Sequence, residues 1–189
     1  MKYLLTNAEL RLVTDPEVLL SKNRIITKVY EMFGSLSDGY KEQATCLREE
    51  LKNAKISKGE NYSGLPYVML DYPREFNKVD VLAVRTFFWW GNFFSITLQL
   101  AGAYQDKHAA ELQASIDKGL LDEWFITLSD NAWLHHFDGG YYEKIKTGED
   151  YKLKDLPFVK VSTKIGLKEW KQAEDFLYKN FALLMNILQ

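Results

Sequence analysis

Residues 79–101 read VDVLAVRTFFWWGNFFSITLQLA, and this stretch decides the fold class. Two apolar runs, 79–90 and 93–101, flank Gly91-Asn92. That pair tolerates positive φ and marks a β-hairpin. With a three-residue loop, Trp90 faces Phe94, and the even-numbered residues Leu82, Val84, Phe88, Trp90, Phe94, Ile96, Leu98 and Leu100 share one face, broken only by Thr86. That face reads as core. A two-residue loop would shift the register by one and exchange faces on one strand. The first register separates apolar from mixed residues more completely, so it is preferred.

Further strands are expected around this hairpin. Tyr67 to Tyr72 reads as a strand closed by Pro73, with a turn over 74–78. Residues 124–128 and 132–137 read as two short strands joined by Ser129-Asp130-Asn131, and 141–156 as a polar loop. Residues 158–165 alternate, with Val159, Val161 and Ile165 on one side and Lys160, Ser162 and Lys164 on the other, which predicts a half-exposed strand. Residues 57–64 read as a polar loop.

Helices are expected on either side of these strands. Asp15-Pro16-Glu17 combines an N-cap acid, proline at the first helical position and an acid in the first turn, and Val18, Ile25, Val29 and Met32 follow at helical spacing. Gly34 to Gly39 is read as a break. A second helix then carries Tyr40, Ala44, Leu47, Leu51 and Ala54 on one face, giving an N-terminal helical hairpin. A middle helix spans 105–118 and ends at Gly119. A long C-terminal helix starts near Leu167, with Trp170, Ala173, Leu177, Phe181, Leu184 and Leu188 on one stripe. That stripe either covers the chain's own sheet or docks a partner.

The predicted fold is therefore α+β: an antiparallel sheet of five to six strands packed by an N-terminal helical hairpin, a middle helix and a long C-terminal helix. It is read as a single domain over 1–189, mainly helical over 1–58, mainly sheet with one helix over 65–165, and helical again over 167–189.

Composition narrows the function classes. The 189 residues are 47% hydrophobic and 26% charged, with a net charge of -2. No basic stripe suited to a phosphate backbone stands out, which argues against nucleic acid as a partner. The apolar segment 79–103 contains Asp80, Arg85, Asn92 and Gln99 and reads as strands, so no membrane span is expected. Cys46 is the only cysteine, which excludes an intrachain disulfide and favours a reducing, cytoplasmic setting.

Two places carry candidate chemistry. The odd-numbered face of the hairpin sets Arg85, Phe87 and Trp89 beside Ser95, Thr97 and Gln99. An aromatic wall with a cation and hydroxyl and amide groups suits a small-ligand pocket, in which Arg85 would hold an anionic group. In the plainer reading a helix covers this face and Arg85 pairs with an internal carboxylate. The second place is His135-His136. On a strand the two rings point to opposite faces, His135 with Trp133 and Phe137, and His136 with Leu134 and Asp138. His136 and Asp138 form a candidate general-base pair, and His135 joins the ligand-binding set. His108 and Glu111, three apart on a helix, share a face and are metal-ligand candidates. No phosphate-loop, dinucleotide, nucleophile-elbow or paired-cysteine motif occurs, so the sequence implies no particular cofactor.

The reading that follows is a domain that binds a small molecule or a protein partner, including a second copy of itself. The alternative is a hydrolase or metal-dependent enzyme that uses His136 and Asp138 with His108.

Overall fold

A computed structural model describes residues 3–47 and 51–189. It contains four α-helices: α1 (Asn7–Thr14), α2 (Pro16–Ala44), α3 (Ala103–Asp117) and α4 (Trp170–Ile187). Seven strands form one sheet: β1 (Lys55–Tyr62), β2 (Leu65–Phe76), β3 (Val81–Trp89), β4 (Phe93–Ala101), β5 (Phe125–Thr127), β6 (Tyr142–Lys144) and β7 (Val159–Gly166). Their order is β1-β2-β3-β4-β7-β5-β6, and every pairing is antiparallel. The α+β class is as expected, with one or two more strands. No described helix is long and apolar enough to cross a membrane.

The central hairpin pairs Trp89 with Phe93, Phe88 with Phe94 and Leu82 with Leu100. The loop is Trp90-Gly91-Asn92, one residue earlier than expected, so the pairing is displaced by two from the Trp90–Phe94 register. A shift of two preserves the faces, and the even-numbered side chains remain the core. Gly91 takes φ +73 in this loop. The Asn92 N–H donates to the Trp89 carbonyl at 3.1 Å.

Helices α2, α3 and α4 lie on the even face. Val29, Phe33, Leu36 and Tyr40 of α2, Leu112 and Ile116 of α3, and Leu177, Phe181 and Leu184 of α4 join Leu82, Val84, Phe88, Phe94, Ile96, Leu98 and Leu100 in one buried cluster. The C-terminal stripe thus covers the chain's own sheet. Thr86, the polar break in that face, is satisfied. The Tyr40 hydroxyl donates to the Leu177 carbonyl at 3.3 Å, which leaves the Thr86 hydroxyl to donate to Tyr40 at 3.1 Å. Tyr40 also stacks on Phe181 with centroids 3.7 Å apart.

Several local expectations are corrected. Asp15 does cap α2 through Glu17 N–H, but the helix runs through Gly34 and Gly39 for 29 residues, so the predicted helical hairpin is one helix. Gly39 has a packing reason: a Cβ there would meet the Tyr178 ring of α4 at 2.6 Å. Residues 48–50 of the predicted second helix lie outside the described residues, and Leu51–Ala54 are not helical. A separate capping box, Thr6 with Glu9, starts α1. The polar run 57–64 contributes most of β1, a charged edge strand. β2 continues past Pro73, with a register irregularity between Asp71 and Arg74. Residues 132–137 are not a strand.

Candidate functional site

The odd-numbered face of the sheet is divided along its length. At one end Phe87, Trp89 and Phe93 form a second apolar cluster with Tyr62, Leu65, Tyr67, Met69 and Phe137. In the middle, register aligns Asp71 of β2, Arg85 of β3, Thr97 of β4 and Ser162 of β7 in one polar row. Beyond it Gln99 stands opposite Lys160. The irregular segment between β5 and β6 lies over this face. Its cover explains why β7 is not half-exposed as expected: Lys160 and Ser162 are each 1% exposed.

Arg85 anchors the row. Its Nε donates to Asp71 Oδ1 at 2.7 Å and Nη2 to Oδ2 at 3.1 Å, the bidentate geometry that suits a guanidinium. Its Nη1 meets His135 Nε2 at 3.0 Å. Next in the row, Thr97 and Ser162 share a hydroxyl–hydroxyl bond of 2.7 Å, and the Ser162 hydroxyl lies 3.1 Å from the Ile96 carbonyl. The Lys160 Nζ donates to the Ala132 carbonyl at 2.9 Å and to the Leu134 carbonyl, and stands 3.4 Å from His135 Nδ1.

Counting protons in this cluster assigns its charges. A neutral imidazole accepts at one nitrogen only and donates at the other. Arg85 can only donate, so His135 Nε2 is the acceptor and Nδ1 carries the proton. Nδ1–H then needs an acceptor, and Lys160 Nζ is the group facing it. An ammonium has no lone pair to offer; a neutral amine has one, and its two N–H bonds match the two carbonyls. The network is satisfied throughout when Lys160 is neutral. Burial, with a smaller contribution from the Arg85 cation, lowers the Lys160 ammonium to about 7. Burial first, then the cations of Lys160 and Arg85, lower the His135 imidazolium to about 2, so His135 is neutral at every physiological pH.

Tyr62 ties the covering segment to the sheet edge. Its hydroxyl accepts from the His135 backbone N–H at 2.7 Å and shares a hydrogen bond of 2.8 Å with His136 Nδ1. Its carbonyl accepts from Trp89 Nε1 at 3.1 Å. Lys164 sits over the Phe137 ring at 4.5 Å, a further pin on the segment.

Where this cover ends, a cavity of about 400 Å³ opens, lined by Phe76, Asn77, Val81, Arg85, Gln99, Ala132 and Trp133. Of the predicted ligand-binding residues, Arg85 and Gln99 line it. Phe87 and Trp89 are buried in the aromatic cluster, and Thr97 is buried against Ser162, so these three are not wall residues. His135 braces Arg85 from behind. The predicted His136–Asp138 pair is not formed: His136 bonds to Tyr62, and the segment lacks the strand geometry that placed them together. His108 and Glu111 sit on α3, the helical side of the sheet, remote from the covering segment. Among the described residues no group of three or more His, Cys, Asp or Glu side chains is placed to hold a metal ion.

Sequence reasoning missed Asp71, Tyr62, Lys160 and Trp133. Asp71 carried a legible signal, since it is the one charged residue in the apolar run Leu65 to Tyr72 of a predicted strand. Comparison of the chain with protein-family models, with curated proteins and with solved structures finds no match.

Proposed function

We propose that this protein binds a small, largely apolar molecule bearing a carboxylate, seated in the cavity bounded by Phe76, Val81, Ala132 and Trp133 with its oxygens on Arg85 and Gln99. One observation carries the reading. Arg85 is held in a fixed position by Asp71 and His135, yet only three of its five N–H bonds have partners among the described residues, leaving one donor on each terminal nitrogen beside an apolar cavity.

The site has the size and chemistry of ligand pockets, which are concave, mostly apolar and carry a few polar groups that fix orientation. A guanidinium already oriented by a carboxylate loses little side-chain freedom when it binds a second acceptor. Gln99 makes no side-chain hydrogen bond among the described residues, so its amide is available to the same ligand. The enzyme alternative gains no support from geometry, because its proposed general base is engaged with Tyr62 and its metal ligands are separated by the sheet.

Native mass spectrometry of protein purified from cells tests the proposal. A small-molecule adduct is expected in the native protein, and Gln99→Glu should reduce its retention at least about fivefold, because a second carboxylate a few ångströms from the ligand's costs on the order of 1–4 kcal/mol at a partly buried site. A bare native chain, or an adduct retained equally by Gln99→Glu, refutes it.

A further inference from the structure

The N-terminal arm is the part of the molecule that its own fold leaves unexplained. Every residue from Tyr3 to Leu20 is exposed, and α1 buries none of its residues. The first buried position of α2 is Ile26, so α1 and the opening turns of α2 extend beyond the sheet. Nevertheless the arm is rich in large apolar side chains. Tyr3, Leu4, Leu5, Leu10, Leu12, Val13, Val18, Leu19 and Leu20 are between 43% and 91% exposed.

These residues do not form a single stripe. In α1, Leu10 and Val13 lie on one side and Leu12 on another; in α2, Val18, Leu19 and Leu20 follow one another around the helix. Contiguous exposed apolar surface beyond a few hundred Å² marks an interaction site. Nor are the helices unstable by design. Thr6 and Glu9 form a complete capping box on α1, and Asp15 ends α1 while capping α2.

We propose that this arm is a homodimerisation element, docking on the same arm of a second copy to form an intermolecular helical cluster. Three observations favour a second copy over other occupants. The first is charge. Between Tyr3 and Leu20 the acids are Glu9, Asp15 and Glu17 and the base is Arg11, with Glu17 paired to Arg24 just beyond the arm. Interfacial helices that bind anionic lipid carry an excess of Lys and Arg on a distinct polar face, and this arm has neither. The second is self-complementarity. A two-fold contact sets a patch against itself, which suits a surface whose large exposed side chains are mainly apolar. The third is area. At about 60 Å² of exposed apolar surface for each of the nine side chains, the arm offers about 500 Å². In a homodimer interface about 65% apolar, that corresponds to about 800 Å² per partner, the size of a standard stable interface.

Sedimentation velocity on the full chain, with Leu12→Lys/Leu19→Lys and Leu120→Lys as variants, tests the proposal. Leu120 is as exposed as Leu20 but follows α3, far from the arm in sequence. The native chain and Leu120→Lys are expected to sediment as dimers at low micromolar concentration. The double variant is expected as a monomer, its dissociation constant raised at least a hundredfold, with the same circular dichroism and thermal midpoint when measured below the dimer's dissociation constant. A native chain that is monomeric at 100-fold higher concentration, a double variant that stays dimeric, or loss of the dimer in Leu120→Lys overturns it. So does a monomeric native chain that co-sediments with phosphatidylcholine/phosphatidylglycerol vesicles, which would make the arm a membrane contact.

Discussion

Replacing Lys160 with methionine should remove a specific part of the protein's pH dependence, and the sign follows from the folded-state proton count. In the unfolded chain Lys160 has its ordinary value of 10.5, and in the folded protein about 7. Between these values the unfolded state holds a proton that the folded state does not. Stability therefore rises with pH across this window, by about 1 kcal/mol per pH unit. As pH falls through the window that stability is lost, and below pH 7 both states are protonated and the dependence stops. From pH 7.5 to 9.5 the native protein should gain about 2 kcal/mol relative to Lys160→Met.

The variant will also carry a constant cost, because the Ala132 and Leu134 carbonyls lose their donor, at about 1–3 kcal/mol for each buried group left unsatisfied. That offset does not depend on pH, so the slope of the difference separates the two effects. The assay is urea unfolding followed by tryptophan emission at half-unit pH steps, stopped at pH 9.5. Burial raises the hydroxyls of Tyr40 and Tyr142 above the ordinary tyrosine value, so their titration enters only near pH 10 and above. On the acid side, His135 stands at about 2 in the folded protein against 6.5 unfolded. Its share of stability is present above pH 6.5 and is lost as pH falls toward 2, and His135→Gln should flatten that limb while leaving the alkaline one. A flat difference between the native protein and Lys160→Met from pH 7.5 to 9.5 would refute the neutral-amine assignment and, with it, the proton count across His135.

Asp71→Asn keeps the shape of the Arg85 partner but removes its charge, leaving a guanidinium whose side chain is 14% exposed without a counter-ion; urea unfolding should show a loss of about 3–5 kcal/mol, while Asp71→Leu/Arg85→Met should recover most of it. The two glycines of α2 should respond in opposite directions. A methyl group added at Gly34 would meet nothing within 4 Å, so Gly34→Ala should add about 0.5–1 kcal/mol, whereas Gly39→Ala must push the Tyr178 ring aside and should lower the thermal midpoint.

The difference between what was legible in the sequence and what was not follows from the range of the interactions involved. The hairpin faces could be read because alternation is local: a run that places Leu82, Val84 and Phe88 on one side and Arg85 on the other fixes the faces whatever the exact loop. The loop itself was misplaced by one residue because Trp90 fits a strand by composition. It leaves the β3–β4 ladder, and its N–H donates instead at 3.0 Å to the Pro66 carbonyl of β2, a contact with no local signature. The same limit explains the uninterrupted α2. Two glycines cost a helix about 1 kcal/mol each, which reads as a break when the buried faces of Phe33, Leu36 and Tyr40 against the sheet are not known.

The site shows the limit most clearly. Alternation correctly put Lys160 and Ser162 on the opposite side of β7 from Val159 and Val161, and composition alone then assigns that side to solvent. What buries it is the segment 128–141, whose backbone carbonyls are the partners of Lys160. Those partners belong to residues with irregular backbone, so no periodic pattern announces them. Arg85 was recognised as the one cation on the mixed face of the hairpin; a cation in an apolar run is costly unless it is paired, and Asp71 is the matching exception in the strand beside it. The rule that follows for this fold is that charged residues in otherwise apolar strands should be read as a set. Asp71 and Arg85 are the charged exceptions in apolar runs, Lys160 follows the alternation of its own strand, and the register places all three on one face. Isolated, Asp71 and Arg85 resemble errors in the pattern and Lys160 a solvent-facing side chain; together they mark the polar row on which the covering segment is held and beside which the cavity opens.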